Sequence, residues 1–267
     1  MRPVAVVGSL SLDRVEGGPP RIGGGPYHCA RALRILGTSA RILTKCGHAD
    51  RPLLVPRLAA LGVPTTVRDA ETTHAFSMTY DGDERVMQVD AIGDPWTPED
   101  VGGALTRAGA VHVAPLAESD FSPETLAAIA RSGRRLSIDG QGLVRPPRTG
   151  PLELDAQYDP AVLEHVSILK LAEEEALALV PELDRDSLAS FGVPEVVVTF
   201  GLHGSLVFAG GRVRRVDVRP LHGVDPTGAG DAFSIAYLTA RGEGHAPHAA
   251  ARRASTLVYG LLSGRLR

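Results

Sequence analysis

A chain of 267 residues, 43% of them apolar, is long enough to bury a full core as a single domain over 1–267. Its net charge of −3 gives no reason to expect nucleic acid or an anionic membrane as partner. No apolar run approaches the roughly 20 residues of a spanning helix, and the apolar start at residues 4–7 stops at Gly8 without signal-peptide form. Cys29 and Cys46 make neither a disulfide framework nor a zinc spacing, so a soluble cytoplasmic protein is expected. Of the 28 basic residues only Lys45 and Lys170 are lysine, which marks both as candidates for positions that need a compact ammonium. Asparagine is absent, so any role ordinarily filled by Asn falls here to another residue.

Residues 3–9 are apolar in succession, the pattern of a strand buried on both faces. Asp13 follows just beyond its carboxyl end, where ligands bind in open α/β sheets, although a surface-loop aspartate fits equally. Residues 14–22, rich in Gly and Pro, leave room for hardly more than one turn. Gly23-Gly24-Gly25 then allows close backbone approach to a ligand ahead of a helix over 26–36, closed by Gly37. A strand at 39–45, a helix to about 61 and a strand at 64–68 complete a βαβ unit. Short strands at 73–80 and 84–89 are joined by Asp81-Gly82-Asp83, a hairpin signal.

Thr97 with Pro98 reads as a capped helix start, expected to run to about 108. Strands at 110–114, 135–139, 166–170 and 195–200 then alternate with helical stretches opened by Ser122-Pro123-Glu124 and by Glu173-Glu174-Glu175. Such alternation indicates an α/β fold with a doubly wound, mostly parallel sheet flanked by helices. Strands at 205–208 and 212–216 turn at Gly210-Gly211, and an alanine-dense helix follows over 246–262.

The run from Val224 to Phe233 is the most informative stretch. Pro226 stops what precedes it, and a helix former runs from Ala232 to about Arg241, so Gly228, Ala229 and Gly230 stand at a helix N-terminus. Unpaired amides and the helix dipole there favour an anion, and Asp231 sits beside it, suited to deprotonating a hydroxyl. An aspartate that merely caps a helix is the competing reading. No P-loop or dinucleotide fingerprint occurs.

The whole run, Asp225-Pro226-Thr227-Gly228-Ala229-Gly230-Asp231-Ala232-Phe233, resembles the signature of ribokinase-like (PfkB) carbohydrate kinases. Asp13, the three glycines at 23–25, Gly47 with Asp50, Glu175 and the Thr199-x-Gly201-x-x-Gly204 turn follow in that family's order, so the resemblance covers nearly the whole chain. The Asp139-x-Gln141-Gly142-x-x-Arg145 stretch is similar to a compact branch that includes myo-inositol kinases. Ile235, where the family keeps a small residue, departs from the pattern.

The resemblance implies ATP- and Mg²⁺-dependent phosphorylation of a hydroxyl on a small sugar or cyclitol. Asp231 would be the catalytic base and the amides of Gly228, Ala229 and Gly230 the anion hole. Asp13, Gly24, Gly25, His28, Gln141 and Arg145 would bind substrate, with His28 standing where the family often has Asn. Thr199, Gly201, Gly204, Thr227 and Lys170 would contact the nucleotide phosphates, and Glu175 would serve the metal. Ala172 stands where the family's N-x-x-E motif has Asn, and three successive glutamates also suit a helix start unaided. The short 14–22 interval implies a reduced β lid, from about 13–24 and 73–90, and with it a monomer. Two alternatives stay open. One is a nucleoside kinase stacking a base on Tyr27, Phe76 or Trp96; the other is a non-catalytic sugar- or nucleotide-binding regulator.

Overall fold

The computed structural model describes residues 3–81, 84–131, 134–219, 221 and 223–266. Its first half contains β1 (Val4–Ser9), β2 (Ser11–Val15), β3 (Arg21–Gly23), α1 (Gly25–Leu36), β4 (Ala40–Gly47), α2 (Arg51–Ala59), β5 (Thr65–Ala70), β6 (His74–Asp81) and β7 (Glu84–Ala91). There follow α3 (Pro98–Val101), β8 (Ala110–Ala114), α4 (Pro123–Ala130), β9 (Arg135–Asp139), α5 (Gln141–Val144), β10 (Gly150–Pro151), β11 (Ile168–Ala172), α6 (Glu173–Leu179) and α7 (Arg185–Ala189). Last come β12 (Glu195–Thr199), β13 (Ser205–Ala209), β14 (Arg212–Val216), α8 (Ala229–Gly242) and α9 (Pro247–Leu262).

Nine strands form one sheet in the order β14-β13-β12-β11-β9-β8-β1-β4-β5, with every pairing parallel except β12 with β13 and β13 with β14. The chain winds outward from β1 in both directions, so the strand order reverses between β1 and β8, the crevice where such sheets bind ligands. Side-chain alternation sends Val4 and Val6 into a core shared with α1, α2, α8 and α9, while Ala5 and Val7 enter the core on the opposite face. Ile235 is fully buried in the first of these cores, so the larger side chain is absorbed by packing. No helix among the described residues is long and apolar enough to cross a membrane.

Two sequence expectations are corrected. The helix opened by Thr97 has its capping box but ends at Val101, because Gly102 leaves helical geometry and Gly103 takes φ +70°. The interval 14–22 holds more than a turn. It finishes β2 and starts β3, which pair with each other, and β2 adds in parallel to β6. With β7 and β10 these make a five-stranded second sheet, β10-β7-β6-β2-β3. Its apolar side gathers Phe76, Met78, Val89 and Leu116. The Gly82-Asp83 turn expected between β6 and β7 lies outside the described residues, but the strands pair antiparallel up to Asp81 and Glu84.

Candidate active site

The helix start at 229 is built by a tight turn. Asp225 accepts from the amide and hydroxyl of Thr227 at 2.9 and 2.6 Å, and Gly228 adopts φ +77°, a conformation that strains any residue with a Cβ. The first helical bond runs from Ala232 N to Gly228 O at 3.0 Å, which leaves the amides of Gly230 and Asp231 without intrahelical acceptors. Ala229 departs from its expected role: its N–H donates to Pro226 O at 2.9 Å and is not available to an anion.

Beneath this helix start lies a cluster of charges. Lys170, in the middle of β11 and 5% exposed, places its Nζ 3.2 Å from Asp139 Oδ2 at the end of β9. It stands 2.9 Å from where a Cβ on Gly230 would be, so glycine is what lets the ammonium reach the helix start. Glu175, 4% exposed, uses Oε2 to accept the Ala172 amide at 2.8 Å. Asp231 Oδ1 is 2.9 Å from the position of a Cβ on Gly25.

Burial raises the Asp231 pKa from its ordinary value to about 7, helped by Asp139 and Glu175 and opposed by Lys170 and Arg145. Burial also raises Glu175, against the pull of Lys170. Lys170 itself is held above the usual lysine value. Burial alone would lower it, but Asp139, Glu175 and Asp231 outweigh that.

Two cavities meet at this point. The first, about 190 Å³, is bounded by Asp13, Gly24, Gly25, His28, Gln141 and Arg145, and by Lys170, Glu175, Thr227, Gly228, Gly230 and Asp231. Phe76, Met78 and Met87 of the second sheet close its outer side, and Glu174 adds a further carboxylate. The second, a crevice of about 80 Å³, is lined by Thr199, Gly201, Gly204, Ala229 and Gly230 and by Ser255, Val258 and Tyr259 of α9. The structure thus brings the sequence-predicted residues together in two adjoining spaces whose common wall is Gly230.

Other expectations are redirected. Trp96 is 2% exposed and outside both cavities; its indole donates to Ser9 Oγ at 3.0 Å and stacks on Phe121. Tyr27 opens onto a different groove, so of the three aromatic candidates only Phe76 faces the first cavity. Lys45 donates to Pro95 O and pairs with Asp100 at 2.8 Å, a structural role away from the site.

Sequence reasoning passed over Asp139, although it stands at a strand's carboxyl end by the same rule that singled out Asp13. It also passed over Cys29 and His112, whose ligand atoms lie within 4.8 Å of the Asp231 carboxylate. No sequence spacing announces that cluster, since three separate elements supply it. Burial lowers the His112 pKa to about 4, which leaves it neutral, and sulfur and imidazole donors do not suit Mg²⁺. The carboxylates of Glu174 and Glu175 do suit a hard cation.

A family model for pfkB family carbohydrate kinases matches residues 10–257. A ribokinase of Bacillus subtilis (strain 168) is 27% identical over 276 residues, covering 96% of this chain and 91% of the relative. An inositol 3-kinase of Oryza sativa subsp. japonica is 29% identical over 218 residues, covering 76% of this chain and 52% of that one. Among solved structures, a pyrophosphate-dependent kinase in the ribokinase family, complexed with a pyrophosphate analog and myo-inositol, superposes with a TM-score of 0.83. It is 25% identical and covers 97% of this chain and 95% of its own. With the signature turn, the two sheets and these matches together, the chain belongs to the pfkB family of carbohydrate kinases.

Proposed function

We propose that this kinase phosphorylates a hydroxyl of a cyclitol or small sugar held in the 190 Å³ cavity, with Asp231 as general base. The observation that carries the reading is the shared wall. Gly230 separates the two cavities, the Asp231 carboxylate opens on one of them, and the Lys170 ammonium stands beside the glycine. An acceptor hydroxyl beside Asp231 would attack phosphorus as its proton passes to the carboxylate, and the bond from phosphorus to the leaving phosphate would break. A base with a pKa near 7 is matched to proton transfer at neutral pH. The Gly230 and Asp231 amides and Lys170 would meet the charge that develops on the transferred group. Asp13, Gln141 and Arg145 would orient the acceptor, while Phe76, Met78 and Met87 exclude water. Glu175, with Glu174 beside it, would hold Mg²⁺ through water; when bound, the ion neutralises charge on the donor phosphates.

Two donors are in play. The resemblance implies ATP. The crevice beyond Gly230, at about 80 Å³, is smaller than the acceptor cavity, and this favours inorganic pyrophosphate, which has no nucleoside to house. The solved pyrophosphate-dependent relative supports the same choice. The test pairs each donor, with Mg²⁺, against myo-inositol, ribose, hexoses and nucleosides, and follows phosphorylated product by phosphorus NMR. Turnover of myo-inositol with pyrophosphate is expected. Turnover with ATP alone would reverse the donor assignment. If no pair reacts while acceptors still raise the melting temperature, the binding-regulator reading prevails.

A further inference from the structure

The largest of these cavities, about 630 Å³, borders the acceptor cavity at His28, Thr227 and Gly228 and the donor crevice at Ala229, Val258 and Leu262, but its arginines line neither. It runs along α1 on the far side of the 223–228 turn, between β3, α2 and the end of α9. Three guanidinium groups line it: Arg21 from β3, Arg31 from α1 and Arg57 from α2. None of the three has a hydrogen bond or ion pair among the described residues, whereas Arg51 and Arg241 are paired with carboxylates. Of the two carboxylates on the wall, Asp13 accepts from Ser11 and Asp225 from Thr227, while Arg21 helps to hold the Asp225 carboxyl below its ordinary value. Val258, Leu261 and Leu262 supply an apolar floor.

A second observation ties this groove to the catalytic turn. His28 lies on the wall of both the groove and the acceptor cavity. Its Nδ1 is sealed from solvent without a hydrogen-bond partner, and a Cβ on Gly228 would collide with the ring. Burial and the charges of Arg31 and Arg21 hold the imidazole neutral, so it already feels those two guanidiniums.

We propose that the groove is a second anion site that takes a small phosphorylated metabolite on Arg21, Arg31 and Arg57, apart from acceptor and donor, with occupancy felt at the Gly228 turn through His28. Guanidinium forks match phosphate oxygens in pairs, and three of them around one open space suit a ligand carrying more than one phosphate. An anion there would offset the positive charge now facing His28 and bring α1, α2 and the second sheet to bear on one molecule.

The test is calorimetric titration of the whole chain with fructose 1,6-bisphosphate, with inorganic phosphate in parallel, and requires no turnover. It therefore reads independently of the kinase assignment. Arg31→Ala/Arg57→Ala is the informative variant, because both side chains are exposed and lie outside the proposed catalytic machinery. Saturable bisphosphate binding that persists with pyrophosphate or ATP at saturation is expected, weakened at least ~10-fold in the variant and by added salt. Basal kcat and donor KM should match the parent. Equal affinity in parent and variant, binding abolished by saturating donor, or no binding at millimolar ligand would each overturn the proposal.

Discussion

Replacing Asp231 with Asn should slow the enzyme and stabilise the fold at once. The carboxylate is raised from 3.8 to about 7 by burial and by its neighbours Asp139 and Glu175. Between those two values the native state holds a proton that the unfolded chain has released. Stability therefore falls as pH rises from about 4 to 7, and the penalty is fully present above 7. Three units at ~1.4 kcal/mol each set a ceiling of ~4 kcal/mol on what Asn relieves at pH 8, and part of it is shared with Glu175, which answers to the same Lys170. A gain of ~1–4 kcal/mol, several degrees in Tm for a chain of this size, is expected at pH 8 and should shrink towards nothing at pH 4. Loss of the base should lower kcat by at least ~10². The assays are thermal denaturation across that pH range and turnover with whichever donor proves active. A variant less stable than the parent at pH 8, or a gain independent of pH, would refute the electrostatic argument. Turnover within a few fold of the parent would remove Asp231 as base.

The wild-type rate should rise with pH through about 7 as Asp231 loses its proton, and Lys170→Met should move that rise upward, because Lys170 favours the charged carboxylate. The same substitution strands buried Asp139 and Glu175 and should cost ~3–5 kcal/mol by denaturant unfolding, with no loss counting against the ion pair. Gly228→Ala should lower both stability and turnover, and adding His28→Ala should recover part of the loss by removing the clash but not the strain at φ +77°; a double variant no better than the single would show that the clash is not the cause. Trp96→Phe should cost ~1 kcal/mol through the lost bond to Ser9 and leave acceptor KM unchanged, while a raised KM would return Trp96 to the site.

What was legible in the sequence followed from local chemistry. The unbroken apolar run of β1, the Gly37 stop of α1, with its αL cap, and the Pro-Thr-Gly turn before α8 each obey rules that act over a few residues. The strand and helix alternation carried the sheet topology for the same reason. The strands within 11–23 were missed because β2 and β3 are short and β2 is held by pairing with β6, about sixty residues away in the chain, which no local pattern records. The α3 error ran the other way: an N-cap threonine followed by proline promised a helix that two glycines cut short. The two lysines show the limit of compositional reasoning. Rarity marked both equally, and only tertiary position sends Lys45 to a helix cap and Lys170 to the Gly228–Asp231 helix start.

The charge cluster explains why Lys170 remains lysine in so arginine-rich a chain. Its ammonium faces three carboxylates, Asp139, Glu175 and Asp231, and stands so near Gly230 that even a Cβ would crowd it. A guanidinium carries the same charge on a broad planar fork that would prefer a bidentate grip on one carboxylate, and it would fill the space in which the proposed reaction would bring donor phosphate and acceptor hydroxyl together. A compact ammonium can pair with Asp139 at 3.2 Å and still offer charge to the helix start. Its single positive charge also sets the balance at Asp231. Without it the base would hold its proton to higher pH and be idle at neutrality; with a second cation as close, the carboxylate would be too weak a base to take a hydroxyl proton. The pKa of about 7 is thus the outcome of one lysine set against burial and two neighbouring carboxylates, with Arg145 assisting.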